Sequence, residues 1–355
     1  MKKRMSVLVL VLLLLVCGGC ASGEERMAEE DTQTQKPLQI GMSFDSFVIE
    51  RWQRDRDVFV STAMELGAEV NVQNANGDIE EQIAQIEYFI DKEMDVIVIV
   101  CIDSDSLGGV VQKAKGAGIK VIAYDRLIKN GDVDLYISFD NEAVGEMMAE
   151  GIVGSDMDVH SVLMLCGPLA DNNVSLVNEG FRNVIQGHQI EIIDMMHADG
   201  WKAELGAEYI YNHIETVKRA DAIMCGNDDI ATAVVRALAE KRLAGKIGVV
   251  GQDADLAACQ RIVQGTQIMT VYKPVEKLAQ QAARCAIELG EGRSVEAEST
   301  IDDGSYQVPY MTLEPVSVYA DNMDEVIVNS GFHLKEDVYL NIPELRASGG
   351  SREAE

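Results

Sequence analysis

The chain is short of positive charge. Against 59 acidic side chains stand 30 Lys and Arg, a formal net charge of −29 over 355 residues. Nucleic acid and anionic lipid headgroups are poor partners for such a surface. Histidine is scarce too. The five residues, at 160, 188, 197, 213 and 333, show no metal-ligand spacing, so no zinc site is expected. No phosphate-cradling glycine loop and no nucleophile elbow occur. Seven cysteines fall at 17, 20, 101, 166, 225, 259 and 285. Those after Cys20 are odd in number and unpaired in spacing, which gives no disulfide framework. Cys101, Cys166 and Cys225 each end an apolar run, where a thiol serves as a small hydrophobe. The N-terminal apolar run, Val7–Val16, is ten residues long, too short to cross a bilayer, which takes ~20.

That run has another reading. Lys2, Lys3 and Arg4 precede it, and small residues lead from it to Cys20, as in the leader of a secreted lipoprotein. Residues 1–19 are expected to be a signal peptide and Cys20 the lipid-modified first residue of the mature chain. Cys17 stands where a Leu is usual. Ala21–Lys36 is polar, acidic and aperiodic, so 20–37 reads as a flexible tether. The end of the chain, 346–355, reads as disordered.

Between these ends, apolar runs and amphipathic stretches alternate. Strand patterns at Ile40–Phe44, Ala68–Gln73, Asp95–Cys101 and Val121–Tyr124 are separated by helical patterns at Val48–Leu66, Asp78–Lys92 and Ser106–Ala117. A second series restarts at Asn141, with strands at Ser161–Cys166, Ile190–Met195, Ala222–Cys225, Ile247–Gly251 and Met269–Tyr272. A further helix, Pro274–Leu289, follows. Strands with nearly continuous apolar sequence, alternating with helices, imply buried parallel sheets. The fold class is therefore α/β, two doubly wound units of similar plan.

In open parallel sheets, ligands bind beyond the carboxyl ends of the strands. Polar groups collect there: Arg51 and Trp52 after the first strand, and Asp125 and Arg126 after Val121–Tyr124. In the second unit come Asp171-Asn172-Asn173, Trp201 in Asp199-Gly200-Trp201, Asn227-Asp228-Asp229, Asp253 and Lys273. Each has a plainer account. Asp78, Asp228 or Asp229 can cap a helix, and Asn74–Gly77 can be a turn. Asp55, Arg56 and Asp57 read as a solvated helix face, and Asp125 with Arg126 as a loop ion pair. Together, however, charged, amide and indole groups at one edge of both sheets suit a neutral polyol. Acceptors and donors meet its hydroxyls, and an aromatic face covers its C–H side.

Several longer segments carry a resemblance. They are Glu50-Arg51-Trp52-Gln53, Asn74-Ala75-Asn76-Gly77, Tyr124-Asp125-Arg126, Asp171-Asn172-Asn173, Gly251-Gln252-Asp253-Ala254-Asp255-Leu256, Thr270-Val271-Tyr272-Lys273-Pro274 and Gly331-Phe332-His333. From about Leu38 to His333 the chain resembles the type I periplasmic sugar-binding proteins of ABC importers. Cys166-Gly167-Pro168 and the acidic Asn227-Asp228-Asp229-Ile230 depart from the family pattern. The resemblance implies two lobes joined by a three-stranded hinge: 38–140 with 273–306, and 141–272 with 307–345. The crossings would fall near Phe139–Asn141, Tyr272–Pro274 and Ser305–Pro309. It implies a monosaccharide between the lobes, a pentose and D-xylose first, held by Arg51, Trp52, Asp125, Arg126, Asp171, Asn173, Trp201, Asn227, Asp253 and Lys273. Closure about the hinge would present the loaded form to ABC permease subunits. Role and compartment would be those of a lipid-anchored, monomeric, extracytoplasmic receptor without cofactor or metal. A sensory partner of a membrane receptor or histidine kinase would use the same ligand chemistry. An enzyme pairing Asp125, Asp171 or Asp253 as acid and base is disfavoured. Carboxylates beside cations and amides stay charged rather than donate protons.

Overall fold

The computed structural model describes residues 36–347. The expected signal peptide, Cys20, nearly all of the tether and most of the C-terminal tail lie outside them. The first series runs β1 (Leu38–Phe44), α1 (Arg51–Glu65), β2 (Ala68–Asn74), α2 (Ile79–Asp91), β3 (Val96–Ile99), α3 (Gly108–Gly116), β4 (Lys120–Tyr124) and β5 (Leu135–Phe139). The second runs α4 (Asn141–Val153), β6 (Ser161–Cys166), α5 (Asn172–Gly187), β7 (Glu191–His197), α6 (Ala203–Asn212), α7 (Ile214–Val217), β8 (Ala222–Cys225), α8 (Asp228–Glu240), β9 (Gly248–Gln252), α9 (Leu256–Val263) and β10 (Met269–Tyr272). Then come α10 (Val275–Gly290), β11 (Ser299–Asp302), β12 (Gln307–Leu313), β13 (Val316–Val318), α11 (Lys335–Val338) and α12 (Pro343–Ala347).

Two sheets result, in the orders β11-β12-β5-β4-β3-β1-β2 and β13-β10-β9-β8-β6-β7. All pairings are parallel except at one edge of each, where β11 and β13 run antiparallel to β12 and β10. The apolar runs explain the layout. β3, β4, β8 and the end of β1 are buried on both faces, so each sheet must be covered by helices on both sides. Strand-end residues start the helices. The side chains of Asp78, Asp140, Asp171 and Asn227 accept from backbone N–H groups in the first turns of α2, α4, α5 and α8. Within the second lobe α4 and α5 approach closely at glycines. A Cβ on Gly145 would stand 2.0 Å from the Val177 carbonyl oxygen, and one on Gly180 2.0 Å from that of Glu142, so any larger residue would push the helices apart.

The chain leaves the first lobe after β5 and returns after β10, since α10 packs on α1. The third crossing differs from expectation. β12 pairs parallel with β5, Tyr310 opposite Tyr136 through Leu313 opposite Phe139. Residues 307–313 therefore belong to the first sheet, and the chain crosses at Glu314-Pro315 rather than at Ser305–Pro309. The strand escapes a periodicity reading because only Val308 in it is fully buried. β5 was likewise not anticipated as a strand. It follows β4 with no intervening helix, outside the βαβ rhythm.

Candidate functional site

Between the carboxyl ends of the two sheets lies a cavity lined from both lobes. α1 opens with Arg51 and Trp52 on its inward face, and β4 delivers Asp125 and Arg126. The loop after β6 and the start of α5 bring Asp171 and Asn173. The short helical turn 199–201 brings Trp201, and Asp253 and Lys273 follow directly on β9 and β10. These nine expected residues all line the cavity and all are buried.

The charged groups form two chains. In one, Arg51 Nη2 donates to Asp125 Oδ2 at 2.8 Å and to Asp55 Oδ1 at 3.1 Å. Its Nη1 lies 3.9 Å from Asp253 Oδ1 across the cleft. Lys273 Nζ sits 2.7 Å from that same oxygen and donates to Gln252 Oε1 at 2.8 Å. In the other, Arg126 Nη1 donates to Asp45 Oδ2 at 2.7 Å, and its Nε stands 2.7 Å from Asp171 Oδ2 of the opposite lobe. Asn173 Nδ2 also crosses, donating to the Asp125 carbonyl at 2.9 Å and to its carboxylate at 3.2 Å. Asp125 and Arg126 are thus not a loop ion pair with each other. Each is held by partners distant in sequence.

Electrostatics separates the carboxylates. Burial pushes Asp45, Asp55 and Asp171 upward, against the arginines beside them. Burial acts on Asp125 as well, but Arg51, Lys273 and Arg126 together outweigh it and hold its carboxyl below the usual value. Asp125 is therefore an acceptor-only carboxylate.

Both of the chain's tryptophans stand in the wall. Trp52 lies near two guanidinium groups, Arg51 at 4.4 Å and Arg126 at 5.4 Å from ring centroid. Trp201 packs against Gly167, where a Cβ would come within 2.4 Å of the indole. Both indole N–H groups are buried without a protein acceptor, and a buried unpaired donor costs ~1–3 kcal/mol. The loops are strained to make this wall. Asp125 (φ 65°), Trp201 (58°), Asp253 (96°) and Ala254 (54°) all adopt positive φ, a conformation that persists where its surroundings over-determine it.

Asn227 is placed differently. It does not line the cavity, although its neighbour Gly226 does. Its Oδ1 caps α8 by accepting from the Ile230 N–H, and its Nδ2 is buried without a partner. Asp228 turns inward to Gln267, Thr270 and the Asp255 N–H. Asn172 is half-buried beside Ser104. Asp55 corrects the expectation of a solvated helix face. It is fully buried, bound by Arg51, and accepts the Tyr124 hydroxyl at 2.5 Å. Its signal was the i, i+4 spacing from Arg51. Asp45 and Gln252 were not among the expected residues, although Asp45 follows β1 and Gln252 ends β9, the strand-end position shared by the others. Asn141, also in the wall, looked only like the start of a helix.

A periodic pattern of this kind has a family. The model of the periplasmic binding protein domain matches residues 40–294. The chain belongs to that family. Among curated relatives, the D-xylose-binding periplasmic protein of Haemophilus influenzae is 44% identical over 309 residues, 86% of this chain and 93% of that protein. The Escherichia coli protein of the same name is 41% identical over 308 residues, 85% and 93% of the two chains. A solved ABC transporter solute-binding protein from Clostridium phytofermentans, with β-D-glucose bound, superposes with a TM-score of 0.77 at 28% identity, covering 84% of this chain and 99% of that one. This periplasmic binding protein is accordingly a type I sugar-binding member close to the xylose-binding branch, a binder rather than an enzyme. Its location is extracytoplasmic.

Proposed function

We propose that this protein captures a pentose, D-xylose before others, in the cavity between its lobes and delivers it to an ABC permease. The observation that carries the reading is the wall itself: Asp125 and Asp253 as acceptors, Arg51, Arg126 and Lys273 as donors, and two indoles for the C–H faces, contributed by both lobes. Asp171 and Asn173 complete the contact set, and Asn227 supports it from behind through Gly226. A sugar touching both lobes favours the closed arrangement by its contacts alone, and a permease can read that arrangement. The names of the relatives at 44% and 41% identity favour xylose. The small site agrees, since a pentopyranose lacks the exocyclic hydroxymethyl of glucose.

Calorimetry with xylose, arabinose, ribose and glucose tests this. Xylose is expected to bind most tightly, and glucose bound as well as xylose would overturn the assignment. We further propose that the mature protein, a monomer, is held at the membrane by lipid on Cys20. Cys20→Ser should release it to the soluble fraction with sugar binding intact, and a variant still in the membrane fraction would show that something else anchors it.

A further inference from the structure

Outside the sugar cavity, three carboxylates from the two lobes converge. Glu50, just before α1, comes from the first lobe, while Asp229 in α8 and Asp255, the residue before α9, come from the second. Carboxylate oxygens of the three all lie within 4.8 Å of one another. Two further observations mark the cluster as unfinished. Asp255 is only 8% exposed, yet its side chain makes no hydrogen bond at the head of α9 and no ion pair among the described residues. Asp229 Oδ2 is buried without a partner as well. The nearby basic groups make no ion pair with the cluster: Arg54 is bound to Glu276 and the Phe332 carbonyl, the His333 ring to the Ala254 carbonyl, and Arg261 to Gln267 and Thr232, with its Nη2 left buried and unpaired. Three like charges drawn together with little water repel unless a positive charge joins them.

We infer that Glu50, Asp229 and Asp255 form a bridging site for a hard divalent cation, of which Ca²⁺ is the best fit. Oxygen-only ligands with mono- or bidentate freedom, completed by water at the open Glu50 side, suit Ca²⁺ better than the strict octahedron of Mg²⁺. Since the ligands come from both lobes, the site exists only when the cleft is shut. The cation and the sugar therefore favour the same arrangement, and each raises the other's affinity by the same factor. The inference rests on the hinge-closure reading above. With a Kd of ~0.1–1 mM, typical of extracellular Ca²⁺ modules, 2 mM Ca²⁺ would tighten sugar binding about 3–20-fold.

The test is calorimetry of xylose at about pH 7.5 in EDTA and in 2 mM CaCl₂, for wild type, Glu50→Gln, Asp255→Asn and the nearby exposed control Asp57→Asn. Wild type and the control should tighten in Ca²⁺, while Glu50→Gln and Asp255→Asn should not. Because Glu50 is exposed, its variant remains informative if Asp255→Asn folds poorly. A wild-type affinity indifferent to Ca²⁺, or an equal gain in Glu50→Gln, overturns the site. So does a Ca²⁺-independent affinity that rises as pH falls, which would assign the cluster to protons. Thermal shift in EDTA and in CaCl₂ with xylose, arabinose, ribose or glucose present separates the two readings. A Ca²⁺ gain on top of any sugar's shift in wild type but not in Glu50→Gln supports the site even if xylose proves to be the wrong sugar, and a sugar shift with no Ca²⁺ gain counts against the site alone.

Discussion

Asp125→Asn is the most informative single change in the cavity. Asn is chosen over Ala because Asp125 sits at φ 65°, where Asn is tolerated and Ala is strained. The substitution keeps the shape and removes the charge. In the protein, Arg51 loses one charged acceptor at 2.8 Å but retains Asp55 at 3.1 Å, and Asn173 retains the carbonyl of residue 125. The cost to the fold should stay near ~1 kcal/mol, a Tm change of about 2–4 °C. Sugar affinity has no such reserve. A hydrogen bond to a charged acceptor contributes ~1.5–3 kcal/mol against ~0.5–1.5 for a neutral one. If two sugar hydroxyls donate to this carboxylate, the loss is about 2–4 kcal/mol, or roughly 30- to 1000-fold in Kd. Calorimetry with xylose and a thermal melt without sugar measure the two quantities. An affinity within about threefold of wild type, with Tm lowered by more than about 5 °C, would refute the reasoning and make Asp125 a strut for Arg51.

Trp201→Ala should weaken xylose, arabinose and ribose by similar factors. Its ring covers a face rather than reading a hydroxyl, and loss of an aromatic's burial is worth ~1.5–3 kcal/mol, about 10- to 150-fold. Unchanged xylose affinity would return the residue to packing over Gly167. A pH series tests the acidic half of the second lobe. Burial raises Asp228 to about 7 against the opposing pull of Arg261, and burial followed by neighbouring carboxylates raises Asp229 to about 6 and lifts Asp255 well above its usual value. Unfolded aspartates titrate near ~4. Between these limits the folded protein binds more protons than the unfolded chain, so stability should rise as pH falls from ~7 towards ~4. Asp125, held low, opposes this at the acid end, and His333, lowered by burial, opposes it within the window with a single proton against those of the three aspartates. Urea melts in EDTA at about pH 8 and about pH 5.5 check the sign. Lower stability at the acid value would refute it.

What could be read in the sequence, and what could not, follows from burial. β3 and β4 are buried at nearly every position, so their apolar runs announced them, and the residues after them were the natural place to look for ligand contacts. β11 and β13 are edge strands, and β12 lies next to one; all three are largely exposed or half-exposed, and their mixed sequences resemble loop. The third crossing was therefore placed too early. Within the site, residues expected to touch a ligand were legible at strand ends, but the residues holding them were not. Asp55 carried only the weak signal of its i, i+4 spacing from Arg51, and the pairing of Asp45 with Arg126, 81 residues on, is encoded by no local pattern. Asn227 shows the opposite failure, since a strand-end amide can equally cap the following helix.

Arg126 grips Asp45 in its own lobe and Asp171 in the other, and Asn173 reaches back to Asp125. The bonds to Asp171 and from Asn173 join one lobe to the other beside the cavity, so opening the cleft requires that they part. Their weight falls on how long the cargo is kept rather than on how fast it arrives. Weakening Asp171 should therefore shorten dwell time in stopped-flow release while leaving the arrival rate nearly as it was.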